Sequence, residues 1–249
     1  MTEETKKAVQ NLYTAFSNYR LNSNMEASPM YDEKEVAKWN QIISSKPLAE
    51  LTGEELHFFV FKVCYTWGDV NDYKHFLPRV FELIAQYKEG EIEAWIAIEK
   101  LSYCNWEDWK KPEYEAILNY LNSLWVQLIN EEEVDALWNF EELFTSIAKV
   151  HPAFNYMLKE WEESKSVAST LRFCEFIGGT ATELTRRGQV KQLKDEPELS
   201  DEFVRWAKGP MQQKLEMAFN STENEETLEK IVQVLETLSN TKITSGNKV

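Results

Sequence analysis

Four side chains capable of acid–base chemistry stand close together, at Asp69, Asp72, His75 and Arg79. If this segment is helical, Asp72 and His75 share a face. A carboxylate beside an imidazole can act as a general base or supply part of a metal site. In the alternative interpretation, Asp69 caps a helix and Asp72 pairs with His75 or Arg79. We favour this structural alternative because no second histidine is nearby, and we keep the four residues as candidate catalytic residues.

Three tryptophans mark predicted turns between paired helices, at Trp67, Trp106 and Trp109. In stacked helix pairs such turns line up along one edge. An exposed row of tryptophans there would bind another protein, because aromatic side chains concentrate interface energy. In the alternative, which we favour, the rings close the core at each turn. The three tryptophans are candidate binding residues.

A second candidate binding region is basic within an acidic chain. Residues 165–194 carry six basic and two acidic side chains, whereas the whole chain has a net charge of −15. Within this region, Arg186 and Arg187 are candidates for contact with an acidic or phosphorylated partner. In the favoured alternative, acidic runs of the same chain, at residues 131–133 or 162–163, neutralise the region.

The histidines and cysteines do not form a recognisable metal-binding pattern. The three histidines are widely spread, so we predict no metal site. The many carboxylates leave a Mg²⁺ or Ca²⁺ site as an open alternative, although no DxDxDG loop is present. The three cysteines lack a CxxC pair, which favours free buried thiols in a reducing compartment over disulfides or zinc. No glycine-rich nucleotide loop or hydrolase motif is present, so no cofactor is predicted. The cysteines are Cys64, Cys104 and Cys174.

The composition excludes several classes of protein. With 43% hydrophobic and 13% aromatic residues, the chain can bury a core, which argues against bulk disorder. Its eight glycines and seven prolines are too few for an all-β protein with many tight turns. The net charge of −15 argues against a general nucleic-acid binder. No signal peptide or membrane-spanning run is recognisable, so a cytoplasmic location without membrane partners is expected.

Proline positions organise the predicted elements. Pro78, Pro112 and Pro152 each precede an amphipathic stretch and are predicted at first helical positions. Counted from each proline, apolar residues recur at offsets of 2, 5, 6 and 9, which form one helical face. The proline spacings of 34 and 40 residues are typical of helical-pair repeats. The pattern predicts an all-α fold of stacked antiparallel helix pairs, a degenerate HEAT/TPR-like solenoid, with a compact helical bundle as the alternative.

One all-helical domain is predicted over residues 1–239, followed by a flexible tail at 240–249. The degenerate repeat occupies about residues 31–165, and looser C-terminal helices occupy 166–239.

Local signals predict several helix ends. Thr52 and Glu55 fit a capping box. Gly178-Gly179 is predicted to end one helix before Thr180 begins another, which would create a helix N-terminus able to hold an anion. A further helix is predicted to end at Gly209, where Pro210 begins the next one.

The candidate catalytic segment also carries a resemblance. From residue 66 to residue 84 the chain reads TWGDVNDYKHFLPRVFELI. This string resembles a WGD…D…HFLPR…L core of uncharacterised bacterial proteins, over about 30 residues between Leu51 and Ile84. The resemblance implies a bacterial all-helical protein. It implies no chemistry, because the group has no assigned activity.

Three functions are compatible with these observations. The leading hypothesis is a non-catalytic helical-repeat protein that binds another protein through one face. The first alternative is a hydrolytic or metal-assisted enzyme centred on Asp69, Asp72, His75 and Arg79. The second alternative is an acidic inhibitor or immunity-type protein, which needs a continuous negative surface.

Overall fold

The computed structural model describes residues 1–87, 92–132 and 134–242, and for residues 134–139 it describes the backbone alone. Within these ranges 74% of the structure is helical and no β-strand is present, so the predicted all-α class is confirmed. The helices pack in pairs, as both the solenoid and the bundle alternatives require. The chain divides into two compact units, Met1–Gln127 and Leu128–Val249, called unit 1 and unit 2.

Unit 1 is built around a central buried helix, α4, which contacts three of its neighbours, α1, α3 and α5. Short 3-10 helices at Leu48–Glu50 and Trp106–Asp108 connect α2 to α3 and α5 to α6. The helices are α1 (Glu3–Ala15), α2 (Glu33–Ile43), α3 (Gly53–Lys62), α4 (Val70–Ile84), α5 (Ala94–Tyr103) and α6 (Lys111–Asn130), whose last residues belong to unit 2.

Unit 2 holds a long helix pair, α9 and α12, beside a core of aromatic rings. Its helices are α7 (Val134–Val150), α8 (Phe154–Glu163), α9 (Val167–Arg187), α10 (Pro197–Trp206), α11 (Gln212–Ser221) and α12 (Glu225–Asn240). The core rings are Phe144, Trp161, Phe173, Phe176, Phe203 and Trp206.

The predicted capping box at the start of α3 is confirmed. The Glu55 backbone N–H donates to Thr52 Oγ1 at 3.3 Å, and the Thr52 backbone N–H donates to Glu55 Oε2 at 2.9 Å. These bonds satisfy N–H groups that have no partner within the helix, so local residue types define this helix start.

The apolar stripe after each proline is largely buried, but the predicted proline positions need correction. Pro78 lies inside α4, because the helix already begins after Asp69, whose side chain caps its first turn. Pro112 is the second residue of α6, and Pro152 stands two residues before the start of α8. The helix starts depend on capping groups as well as on proline.

The predicted glycine stops are wrong at both sites. Helix α9 runs through Gly178 and Gly179 and ends at Gly188, which adopts the left-handed conformation with φ 68°. Buried residues on both sides, including Ile177 and Thr180, hold the helix together across the two exposed glycines. Gly209 lies within a π-helical segment, Ala207–Met211, that connects α10 to α11 without a break.

Helix α12 extends to Asn240, one residue beyond the predicted domain end. From residue 243 onward the predicted flexible tail lies outside the described residues. None of the described helices combines the length and the apolar character needed to cross a membrane.

Candidate functional site

The carboxylate of Asp69 serves as the N-cap of α4. The backbone N–H groups of Asn71 and Asp72 donate to Asp69 Oδ1 at 2.7 and 3.0 Å. The Asp69 N–H in turn donates to Asp72 Oδ2 at 2.9 Å, which completes a capping box. Asp69 therefore caps the helix, as the structural interpretation predicts.

Asp72 has a different partner from the one predicted. Its side chain accepts from the Asp69 backbone rather than forming an ion pair with His75 or Arg79, because the third helical position faces the helix start. Burial raises the pKa of Asp72, and the hydrogen bond from Asp69 opposes that rise. The Asp72 carboxylate therefore stabilises the first turn of α4.

His75 and Arg79 also face separate structural partners. His75 Nδ1 lies 3.0 Å from the backbone oxygen of Tyr19. Arg79 Nε donates to the Leu51 oxygen at 2.7 Å, and its Nη1 donates to Glu82 at 2.8 Å. The segment thus joins α4 to its neighbours through polar contacts, and its side chains point to different partners.

A cleft of about 800 Å³ lies in unit 1 between residues 23–31 and α2. Met25, Tyr31 and Asn40 are among the residues that line it, and the four candidate catalytic residues are not. Among the residues that the structure describes, no group of three or more His, Cys, Asp or Glu side chains is placed to hold a metal ion.

The three candidate tryptophans do not form an exposed row. Trp67 and Trp106 are each 1% exposed. Trp67 Nε1 donates to Asn40 Oδ1 at 3.2 Å, and Trp106 stacks on Tyr114 with ring centroids 4.9 Å apart. Trp109 is half-buried. Trp67 and Trp106 therefore close the core at the turns, as the alternative interpretation predicts.

A buried polar network in unit 1 was missed by sequence reasoning. Lys74 Nζ lies 2.8 Å from Glu113 Oε2 and 4.1 Å from the centroid of the Trp109 ring. The Tyr19 hydroxyl donates to Glu113 Oε1 at 2.8 Å, so the carboxylate is held from two sides. A signal was present, because Lys74 stands one turn before Leu77 on the apolar face of α4.

Arg186 and Arg187 lie in the last turn of α9, where the negative end of the helix dipole stabilises basic side chains. Both are exposed, and Arg187 Nη1 lies 3.3 Å from Glu183 one turn earlier. The anion-binding helix start predicted at Gly178-Gly179 does not exist, since these residues are inside α9. Of the acidic run predicted as a counterpart, Glu133 lies outside the described residues.

Large aromatic side chains are exposed on the neighbouring helices α3 and α5 and on the turn after α3. Tyr65 and Tyr103 are each 53% exposed, and their ring centroids lie 4.2 Å apart. Phe58 is 55% exposed on α3. We call this set the aromatic surface; its members are Phe58, Phe61, Tyr65, Trp95 and Tyr103.

A sequence signal for part of the aromatic surface existed in the run of four apolar residues 58–61. An amphipathic helix buries one face, so four consecutive apolar residues must leave some of their side chains outside the core. Phe59 and Val60 are buried at 0% and 3%, whereas Phe58 and Phe61 are exposed.

Comparison of the chain with protein-family models, with curated proteins and with solved structures finds no match. The resemblance of the segment between Leu51 and Ile84 to uncharacterised bacterial proteins stays a prediction.

Proposed function

We propose that this protein is a non-catalytic helical-repeat protein that binds another protein through one face, and that the aromatic surface is this face. The observation that supports the proposal is the exposure of five large aromatic rings on two packed helices and the turn between α3 and α4. Clustered exposed apolar groups mark interaction sites, and aromatic side chains provide most of the binding energy in many interfaces.

Charge and ring chemistry favour a partner segment that carries arginine or lysine. The chain's net charge of −15 attracts basic proteins. Aromatic rings in the same unit already hold a cation, since Lys62 Nζ lies 4.3 Å from the Tyr31 ring centroid and 4.8 Å from that of Trp39. Within the aromatic surface, Lys100 Nζ lies 3.9 Å from the Tyr65 ring centroid and Lys62 Nζ lies 5.9 Å from that of Phe58, so we propose that the solvent-facing sides of these rings and of their neighbours offer a partner's cation the same attraction. We therefore infer a basic segment with apolar neighbours as the partner.

A double substitution tests the proposal. Phe58→Ser with Phe61→Ser removes two exposed rings of 55% and 40% exposure. The matched control is Met217→Ser with Phe219→Ser on α11, where the side chains are 67% and 39% exposed. Proteins crosslinked to the wild-type chain in its source cells are identified, and the partner is purified. The dissociation constant of the partner is then measured for the wild type, the Phe58/Phe61 variant and the Met217/Phe219 control, at low and at high salt concentration.

We expect the Phe58/Phe61 variant to weaken binding at least about tenfold, because each lost anchor costs roughly 1–2 kcal/mol. The control should bind like the wild type, and raising the salt concentration should weaken wild-type binding. Equal affinities of the wild type and the Phe58/Phe61 variant would refute the assignment of this face. A partner segment without basic residues would refute the proposed partner chemistry.

Two alternatives remain as proposals of lower rank. An enzyme centred on Asp69, Asp72, His75 and Arg79 draws little support from side chains that face separate structural partners. An acidic inhibitor or immunity-type protein draws its support from the net charge alone. For all three functions we propose a cytoplasmic location, which is consistent with the free thiols of the chain.

A further inference from the structure

Two cysteines far apart in the sequence meet in unit 1. Cys64 follows α3 and Cys104 is the C-cap of α5. Their Sγ atoms lie 2.9 Å apart, although the residues are separated by 40 positions. A disulfide requires about 2.05 Å between the sulfurs, so a small side-chain movement would bring them to bonding distance. Both cysteines are free thiols in this structure.

A buried cation lies beside the two sulfurs. Lys100 is 1% exposed, and its Nζ donates to the backbone oxygens of Phe61 at 3.2 Å and Val63 at 2.8 Å. Burial lowers the pKa of Lys100 to about 8, while the nearby sulfurs oppose this shift. The carbonyl oxygens fix the ammonium group next to the thiol pair, where it favours a negative charge on sulfur.

The two thiols are not equivalent. The hydrogen bond shared with Cys64 lowers the pKa of Cys104, and the positive charges of Lys100 and Lys74 add to this effect against the cost of burial. The same hydrogen bond, together with burial, raises the pKa of Cys64. The positive charges of Lys100 and Lys74 thus favour Cys104 as the site of the first negative charge on the coupled pair, with one proton left between the two sulfurs.

The backbone around the pair is unusual. Cys64 adopts φ 64° and Asn105, which follows Cys104, adopts φ 51°, both in the left-handed region that disfavours side chains. Such conformations persist where the surrounding structure enforces them and are frequent at functional sites. Cys64 is only partly buried, so a small solute can reach the pair from its side.

We propose that Cys64 and Cys104 form a reversible thiol–disulfide site that is oxidised by hydroperoxides. The Cys104 thiolate attacks one peroxide oxygen, so that an S–O bond forms, the O–O bond breaks and the departing hydroxide takes up a proton to become water. Cys64 sulfur then attacks the Cys104 sulfenic acid: the S–S bond forms, the S–O bond breaks, and the hydroxide leaves with the Cys64 proton as water. Two thiols and one hydrogen peroxide give one disulfide and two waters, and an external dithiol reverses the change.

The third cysteine provides an internal control. Cys174 is 4% exposed on α9, and burial raises its pKa to about 12. Lys230 opposes this burial effect, and the negative charge of Glu175 adds to it, so the surroundings of Cys174 disfavour a thiolate. Because reactivity follows the thiolate fraction, we expect Cys104 to react at least about tenfold faster than Cys174.

The test uses the full reduced chain treated with hydrogen peroxide at neutral pH, followed by alkylation and trypsin digestion. We expect the peptides of residues 63–74 and 101–110 to appear as one disulfide-linked species that dithiothreitol separates. In Cys64→Ser, dimedone should trap a sulfenic acid on Cys104. Cys104→Ser should give no rapid oxidation, and Cys174→Ser should behave like the wild type.

Three outcomes would overturn the proposal. The first is oxidation of Cys64 and Cys104 no faster than that of Cys174. The second is a disulfide that forms only between two chains, detected as a dimer on non-reducing gels. The third is disulfide formation with oxidised glutathione but not with peroxide, which would remove the hydroperoxide assignment. Binding to a partner plays no part in any of these measurements, so they are independent of the proposed function.

Discussion

Replacing Lys74 with methionine should strongly destabilise unit 1. The substitution keeps a long apolar side chain in α4 but removes the ammonium group that contacts Glu113 at 2.8 Å. The lysine and glutamate side chains are only 9% and 4% exposed, so water does not replace the lost partner. Glu113 would keep the hydrogen bond from the Tyr19 hydroxyl and an ion pair at 3.9 Å with the exposed Lys110, which together are a weaker compensation for a buried negative charge.

The magnitude follows from burial and distance. At 2.8 Å and an effective dielectric constant of about 20, the attraction between the two charges is about 6 kcal/mol before the cost of desolvation. Removing one partner of a buried ion pair costs about 3–5 kcal/mol. The cost of losing the contact between Lys74 and the Trp109 ring is already included in this range of energies. We expect a loss of about 3–4 kcal/mol for Lys74→Met.

A double-mutant cycle separates pairing from packing. Glu113→Gln alone leaves Lys74 charged and buried, and should cost about 3 kcal/mol. The double variant Lys74→Met with Glu113→Gln leaves neither charge unpaired, so its loss should be about 2–3 kcal/mol smaller than the sum of the single losses. Urea unfolding monitored by hydrogen exchange of α4 and α6 peptides reports the stability of unit 1 itself.

The matched control is an exposed ion pair on the same helix α6. Lys111 Nζ lies 3.7 Å from Glu115 Oε1, and the side chains are 84% and 56% exposed. The corresponding cycle, with Lys111→Met and Glu115→Gln, should give a coupling below about 0.5 kcal/mol. A loss below about 1 kcal/mol for Lys74→Met, or additive losses in the buried cycle, would refute the assigned role of the pair.

Three further predictions concern local structure and pH. Gly188→Ala should lower the free energy of unfolding by about 2 kcal/mol, because φ is 68° and a Cβ would clash with the backbone oxygen of Lys242. Gly178→Ala meets no heavy atom within 4 Å and should raise the free energy of unfolding by about 0.5–1 kcal/mol; thermal unfolding measures both changes. Thr52→Ala should cost about 1 kcal/mol in urea unfolding by removing the cap of α3, whereas Thr52→Ser should retain most of it. Burial lowers the pKa of His151 below its usual 6.5, so the unfolded chain binds this proton more tightly than the folded chain does. The contribution of His151 to the free energy of unfolding should therefore be fully present above pH 6.5 and should fall as the pH drops below that value. His151→Gln should reduce the slope of stability against pH in this range. An unchanged slope in the variant would contradict the assignment to His151.

The helical class and several helix starts could be predicted because they depend on residues within a few positions of one another. The stripe residues Val80, Leu83 and Ile84 recur with helical spacing and are buried. Thr52 and Asp69 cap their helices through groups two or three residues away. Such contacts are determined by chain geometry, so neighbouring residue types suffice to predict them.

Local preference failed where tertiary packing opposed it. Two adjacent glycines disfavour a helix by about 2 kcal/mol together, yet α9 continues through Gly178 and Gly179. Flanking residues such as Phe176 and Ile177 are almost fully buried, and their burial outweighs the local cost. For the same reason no helix begins at Thr180, where an anion-binding helix N-terminus was predicted.

Residue types and their spacing are enough to predict an acidic all-helical chain with apolar helix faces and several of its helix caps. Tertiary packing brings Cys64 to Cys104, and it brings Lys74 to Glu113 across 39 positions. The same packing buries Trp67 and leaves Phe58 exposed. Contacts between helices depend on how two helices are rotated and shifted against each other. That choice is made by packing of the whole core, and periodicity within one helix carries no information about it.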